Sequence, residues 1–208
     1  MALAYFESLY AANPDPWSFE TRWYERRKHA LTVASLPRPR YQRAFEPACS
    51  NGRLSSLLAA RCGSLLAVDA VGAAVQRAQR RLAGQAQVRV EQRQLPEQWP
   101  DGPFDLIVVS EFLYYLSGED LLSVIERILA TLEPGGTLIA VHWRHPVPEY
   151  PLSGDTVHAS LRSAPGLAGL VSHEEEDFLI DVFLHGQGEG QAESVAAATG
   201  VPGAGKRS

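Results

Sequence analysis

The sequence predicts an α/β protein: a doubly wound, Rossmann-like, mostly parallel seven-stranded sheet with a C-terminal antiparallel hairpin and N-terminal lid helices. Three observations predict it. From residue 41 short continuous apolar runs alternate with helix-like segments, as happens when helices cover both faces of a parallel sheet. The first run ends in an acidic residue and a turn of small residues, "EPACSNG", and the second run ends in Asp69. After residue 144 the rhythm changes to two apolar runs about an acidic turn, which reads as a hairpin at the sheet's edge.

The elements follow in order. Residues 1–38 read as two helical pieces broken at "NPDPW", where Pro14 and Pro16 forbid a continuous helix. Ser18 is the candidate cap of the second piece. Strand and helix then alternate through "YQRAFEP", "GRLSSLLAARC", "SLLAVDA", "VGAAVQRAQRRLA" and "AQVRVEQ". The turn-rich "LPEQWPDGP" leads to "FDLIVVSEF", a helix at "GEDLLSVIERILATL" and a strand at "GGTLIAVHW". A proline-bearing loop running into a helix, and then the hairpin "GLAGLVSHEEEDFLIDVFLHG", complete a single domain over residues 1–185. Residues 186–208, rich in glycine and small side chains, are expected to form a disordered tail.

Composition narrows the function. The 208 residues carry 19 Lys and Arg against 24 Asp and Glu, a net charge of 19 − 24 = −5, so nucleic acid is not the expected partner. A small molecule is. The N-terminus lacks a positive flank before a long apolar stretch, and no run approaches membrane-spanning length, so no membrane role and a cytoplasmic location are expected. Cys49 and Cys62 are too few for a disulfide framework or a structural zinc site.

Ligands of such sheets sit beyond the carboxyl ends of the strands. Gly52 suits close backbone approach and tight helix packing there, while Ala48 and Ser50 stand where the pattern E/D-x-G-x-G-x-G has glycine. The turn holds a ligand in this reading if Ala48 and Ser50 keep φ below zero. Glu46 with Asp69, at the spacing of a carboxylate that accepts ribose hydroxyls, points to a nucleoside. The missing glycines count against the pyrophosphate of a dinucleotide; S-adenosylmethionine has no phosphate.

At this point "FEPACSNGRLSSLLAARCGSLLAVDA", with "QLPEQWPDGPFDLIVVSEFLYYL" and "LEPGGTLIAVHW", resembles the motifs of class I S-adenosylmethionine-dependent methyltransferases. The leader "NPDPWSFETRWYERRKHA" and "SEFLYYL" resemble the NodS-type nodulation family, which N-methylates a glucosamine unit of a chitooligosaccharide. The resemblance implies S-adenosylmethionine as cofactor and S-adenosylhomocysteine as product. It implies that Glu46, Ala48, Cys49, Ser50 and Gly52 line the methionine and ribose side, with Asp69 on the ribose and Ala70, Gln94 and Leu95 beside the adenine. It places Ser110, Glu111 and Tyr115 at the methionine portion, and Trp17, Tyr24 and Arg27 as a lid over it. The stretch "VHWRHPVPEYPLSGDTVH" does not align with the family's substrate region.

Methyl transfer from a sulfonium asks mainly for alignment, with a group near the nucleophile to take or orient its proton. Glu111, Tyr115, His142 and Arg144 are the candidate catalytic residues, all at predicted strand ends, with Tyr114 beside them. Two histidines in "HWRH", with His158 or Asp155, lack the spacing of a zinc site, so no metal is expected. The acidic run "HEEED" reads as a solvated turn, "RAQRR" as an exposed helix face, and "GVPGAGKRS" as a near-match to a phosphate loop with Arg207 in the Ser/Thr position. The expected activity is N-methylation of an amine of an aminosugar or related small molecule. The alternatives are O-methylation, with His142 or Glu111 as base, and a non-catalytic nucleoside-binding protein.

Overall fold

Strands form where the apolar runs fall, and helices fill the intervals. The computed structural model describes residues 3–186 and 193–204. In chain order the elements are α1 (Leu3–Ala12), α2 (Trp23–Ala34), β1 (Tyr41–Pro47), α3 (Arg53–Leu58), β2 (Cys62–Asp69), α4 (Gly72–Leu82) and β3 (Val88–Gln92). They continue with β4 (Phe104–Ser110), α5 (Gly118–Thr131), β5 (Leu132–Trp143), α6 (Gly154–Arg162), β6 (Leu167–Glu174), β7 (Phe178–His185) and the single turn α7 (Val195–Ala198). The seven strands make one sheet in the order β3-β2-β1-β4-β5-β7-β6. The strands up to β5 are parallel, and β7 pairs antiparallel with both β5 and β6.

Alternation along β1 shows how both faces are used. Phe45 packs with Ile107, Leu138 and the apolar stripe Leu121, Val124, Ile125 and Ile128 of α5 on one face. Its neighbour Ala44 joins Leu106, Val108 and Ile139 on the other, under Leu54 and Leu58 of α3 and Leu36 after α2. Burying near-continuous apolar strands between two helical layers is the driving force, at about 25 cal/mol per Å2 of apolar surface removed from water. Ser117 caps α5 by accepting the Asp120 N–H at 3.1 Å, and Glu119 and Asp120 complement the positive end of that helix.

Ser18 does not cap α2. That helix starts at Trp23 after Arg22, and Ser18 lies upstream with φ of 61°. The Asp15 carboxylate holds this stretch instead, accepting the N–H groups of Phe19 and Glu20 at 3.0 Å each. Of the tail expected to be disordered, residues 193–204 hold the exposed turn α7, while residues 187–192 and 205–208, including Lys206 and Arg207 of the phosphate-loop near-match, lie outside the described residues. No helix among the described residues is long and apolar enough to cross a membrane.

Candidate active site

Parallel strands that end on one side, beneath two lid helices, leave a crevice at the point where chain order reverses between β1 and β4. A cavity of about 480 Å3 opens there. Its walls come from α1, α2, the turn after β1 and the ends of β2, β4 and β5.

The turn Ala48–Gly52 is built from three left-handed residues, with φ of 54° at Ala48, 52° at Ser50 and 75° at Gly52. The expectation that Ala48 and Ser50 keep φ below zero is therefore overturned. The loop adopts a glycine-like path without the glycines, although the left-handed region costs an L-residue about 1–2 kcal/mol. Tertiary bonds hold it. Cys49 N–H donates to Val68 O at 2.8 Å, Ser50 N–H donates to Asp69 Oδ2 at 2.9 Å, and the Ser50 hydroxyl pairs with the Tyr10 phenol of α1. Gly52 is favoured for a second reason: a Cβ there would crowd Ala78 of α4 at 3.0 Å.

Asp69 accepts the Ser50 N–H on Oδ2 and the Val71 N–H on Oδ1, each at 2.9 Å, and lines the cavity. Glu46, 2% exposed at the end of β1, has Oε2 without a partner among the described residues. Burial, reinforced by the charge of Asp69, pushes its carboxyl up to about 8. His29 Nδ1 and Arg53 Nε are likewise buried and unpartnered in the same wall. Burial, with Lys28 adjacent, lowers the His29 imidazole to about 4, so that ring is neutral at pH 7.

The opposite wall centres on Glu111, the residue after β4, whose backbone is again left-handed with φ of 53°. Its Oε1 accepts from Lys28 Nζ at 2.7 Å. Its Oε2 accepts from the Trp143 N–H at 3.0 Å and from the Tyr114 phenol. Lys28, 3% exposed on α2, also faces Glu25 at 3.1 Å and stands 4.9 Å from the centre of the Tyr24 ring. Burial works against its charge, and Glu111 and Glu25 overcome that penalty and hold the ammonium above its ordinary range. Burial raises the phenols of Tyr24, Tyr114 and Tyr115, so they serve as donors and not as bases.

The family profile of Nodulation protein S (NodS) matches residues 8–149. This chain belongs to the NodS family. It is 32% identical over 130 residues to Nodulation protein S of Rhizobium tropici, covering 62% of this chain and 55% of that relative, so it spans little more than half of the relative's length. Among solved structures it is 26% identical to the N-methyltransferase NodS of Bradyrhizobium japonicum WM9 in complex with S-adenosyl-L-homocysteine, with a TM-score of 0.78 over 87% of this chain and 97% of that one. A Pseudomonas syringae protein assigned as a methyltransferase is 49% identical, with a TM-score of 0.71 over 79% of this chain and 100% of that one.

In this NodS family member the cavity gathers most residues that the resemblance singled out. Glu46, Ala48, Cys49 and Ser50 line it, as do Asp69, Ala70, Gln94 and Leu95, and on the far side Ser110, Glu111 and Tyr115. Trp17 and Tyr24 of the lid line it too. Four expected residues do not. Gly52 serves the packing of α3 on α4. Arg27 turns outward to Glu175, with two contacts of 2.8 Å, so the acidic turn, solvated as expected at Glu174 and Glu176, also latches the lid helix. Arg144 is held by Asp155 at 2.8 Å, by Glu174 at 2.8 Å and by the Glu175 carbonyl at 2.8 Å, which leaves it as a clamp between α6 and the hairpin. His142 is fully buried, with both ring nitrogens in hydrogen bonds, so it is not a base facing the cavity.

Sequence reasoning missed Lys28, Glu25, His29 and Arg53. Lys28 and Glu25 sit in a charged run that reads as a solvated helix face, and only their burial beneath the lid marks them. Tyr10, too, was given no role, yet it ties α1 to Ser50.

Proposed function

We propose that residues 1–185 form one S-adenosylmethionine-dependent methyltransferase domain, with residues 1–38 as its lid, which N-methylates an amine of an aminosugar or related small molecule. Membership of the NodS family supports the activity. The observation that carries the cofactor reading is a row of unmatched polar groups in one wall, which fits S-adenosylmethionine group by group. Asp69 suits the ribose hydroxyls, Glu46 Oε2 the α-ammonium, and Arg53 with His29 the α-carboxylate. When bound, the cofactor supplies an electrophilic methyl group on a sulfonium.

The protein's share of the chemistry is alignment and exclusion of water. Three donors occupy Glu111 and leave Oε1 one free lone pair, which suits it to orient an acceptor N–H. Lys28 holds that carboxylate in place through its 2.7 Å contact with Oε1. The phenols around it donate hydrogen bonds and offer ring faces to a cation. Transfer to oxygen asks for a base, and the burial of His142 removes one of the two candidates. A non-catalytic reading rested on a degraded loop, and the loop keeps its glycine-like path. The free, buried thiols of Cys49 and Cys62 support a cytoplasmic setting.

The test has two arms. Calorimetric titration of folded protein with S-adenosylhomocysteine gives binding heat in the micromolar range; no heat there ends the cofactor reading. Labelled methyl from S-adenosylmethionine goes to glucosamine and deacetylated chitooligosaccharides and not to their N-acetylated forms; equal labelling of both ends the amine reading.

A further inference from the structure

Beneath the cavity, and outside it, lies a chain of buried titratable groups. His142 at the end of β5 and His158 on α6 are both 0% exposed, and Asp181 on β7 is 2% exposed. Hydrogen-bond bookkeeping determines every proton in this chain. The Leu113 backbone N–H donates to His142 Nε2 at 3.2 Å, so that nitrogen carries no proton. A neutral imidazole then carries its proton on Nδ1, which faces His158 Nε2 at 3.1 Å and donates to it. His158 Nε2 is thereby an acceptor, its proton sits on Nδ1, and it donates to Asp181 Oδ2 at 2.7 Å. Arg162, part-exposed on α6, closes the chain on the same carboxylate at 2.7 Å.

We propose that the relay His142–His158–Asp181 positions the acceptor wall: it sets the short helical turn Leu113–Tyr115 and through it the Tyr114 phenol on Glu111. The inference rests on the reading of that wall as the acceptor site. Three further observations support it. The turn is tied at its ends by Tyr115 N–H to Phe112 O at 3.1 Å and Leu116 N–H to Leu113 O at 3.2 Å, and from outside by Leu152 N–H to Tyr114 O at 3.2 Å, so anchors from other elements share in placing it. The residue beside His142 performs the matching task, since the Trp143 N–H holds Glu111 Oε2. The relay is also built to close tolerance, because a Cβ at Gly154, the start of α6, would lie 2.3 Å from Trp143 O and 3.2 Å from His142 Cβ. A fully satisfied buried polar network selects one arrangement of its surroundings. Neither ring has a lone pair left for substrate, so both act through the turn.

The experiment compares His142→Leu, which removes the acceptor for Leu113, with His142→Gln, whose amide oxygen restores one. In the wild type, imidazole NMR shows two slowly exchanging N–H protons, both on Nδ1. His142→Leu speeds exchange of the Leu113 amide at least tenfold, shifts the Tyr114 ring resonances, and lowers kcat with deacetylated chitooligosaccharide by roughly ten- to hundredfold. Its affinity for S-adenosylhomocysteine stays within about threefold of wild type, and His142→Gln recovers part of the lost kcat. His158→Phe, which keeps the shape but frees His142 to change tautomer, gives the same pattern if His142→Leu does not fold. An Nε2 proton on either ring, an unchanged Tyr114 environment, or a kcat loss matched by an equal loss of cofactor affinity overturns the proposal. If the wild type methylates no acceptor, the proposed function falls, while the tautomers, Leu113 exchange and Tyr114 shifts still decide the relay.

Discussion

Lys28 Nζ lies 2.7 Å from Glu111 Oε1, and this part-buried pair joins the lid helix α2 to the end of β4. Removing one partner leaves the other charge uncompensated, which costs about 3–5 kcal/mol in a fully dry site. Glu111 is 18% exposed at its side chain, so Lys28→Met is expected to destabilise by about 2–4 kcal/mol. Urea unfolding of Lys28→Met, Glu111→Gln and the double variant checks this: the double costs less than the sum of the singles. Strict additivity would show that the two groups do not interact.

Glu46 sets a pH dependence. Its folded-state value is raised to about 8 from 4.5, so the folded protein binds this proton more tightly than the unfolded chain. Stability from this group is therefore fully present below about 4.5, declines by up to roughly 1.4 kcal/mol per pH unit, and is lost once the pH passes about 8. Glu46→Gln should then stabilise the ligand-free protein at pH 9 relative to its effect at pH 5. Thermal melts at the two pH values read this directly, and an equal effect at both refutes it.

The same carboxyl must lose its proton to receive an ammonium. Affinity for S-adenosylhomocysteine should rise from pH 6 through about 8, as the Glu46 carboxyl gives up its proton and the ligand's α-amino group stays an ammonium. Calorimetry in buffers of different ionisation heat should show proton release on the acid side. In Glu46→Gln the acid limb disappears; its persistence would assign it to another group.

Ala48→Gly relieves a left-handed alanine at φ of 54°. Relief of about 1–2 kcal/mol, less the 0.5–1 kcal/mol that glycine loses to unfolded-state entropy, leaves a small net gain. The midpoint of thermal unfolding should rise by about 2–4 °C per kcal/mol gained. Ser50→Gly should gain less, because it also gives up the hydroxyl bonded to Tyr10. A lower melting temperature for Ala48→Gly would mean that the strain has no energetic weight.

Arg53→Met and His29→Leu separate the two ends of the cofactor. Both should weaken S-adenosylhomocysteine by roughly tenfold, the worth of one charge-assisted hydrogen bond, and leave methylthioadenosine, which lacks the amino-acid end, unchanged. Parallel losses for both ligands would move these side chains out of the carboxylate role.

Much of the fold was legible. The apolar runs ending at Pro47, Asp69 and Ser110 became β1, β2 and β4, and the acidic turn after Glu174 became the β6–β7 hairpin. The cavity wall at Glu46 and Asp69 was legible for a related reason: the two residues stand at the ends of adjacent parallel strands, so their spacing along the chain becomes proximity in space. What escaped were groups defined by distant partners. Lys28 looks solvated until Glu111, 83 positions along, receives it, and His142 looks like a base until Leu113, 29 positions back, takes its lone pair.

The sequence by itself determined the order of strands and helices, the edge hairpin and the turn where a nucleoside would lie, because periodicity and strand-end chemistry act over a few residues. Tertiary structure alone decided the sign of φ at Ala48 and Ser50, the burial of the Lys28 charge and the tautomers of His142 and His158. Each depends on which donor or acceptor arrives from another element. A lone pair or an unpaired proton has no address along the chain until the sheet has closed around it.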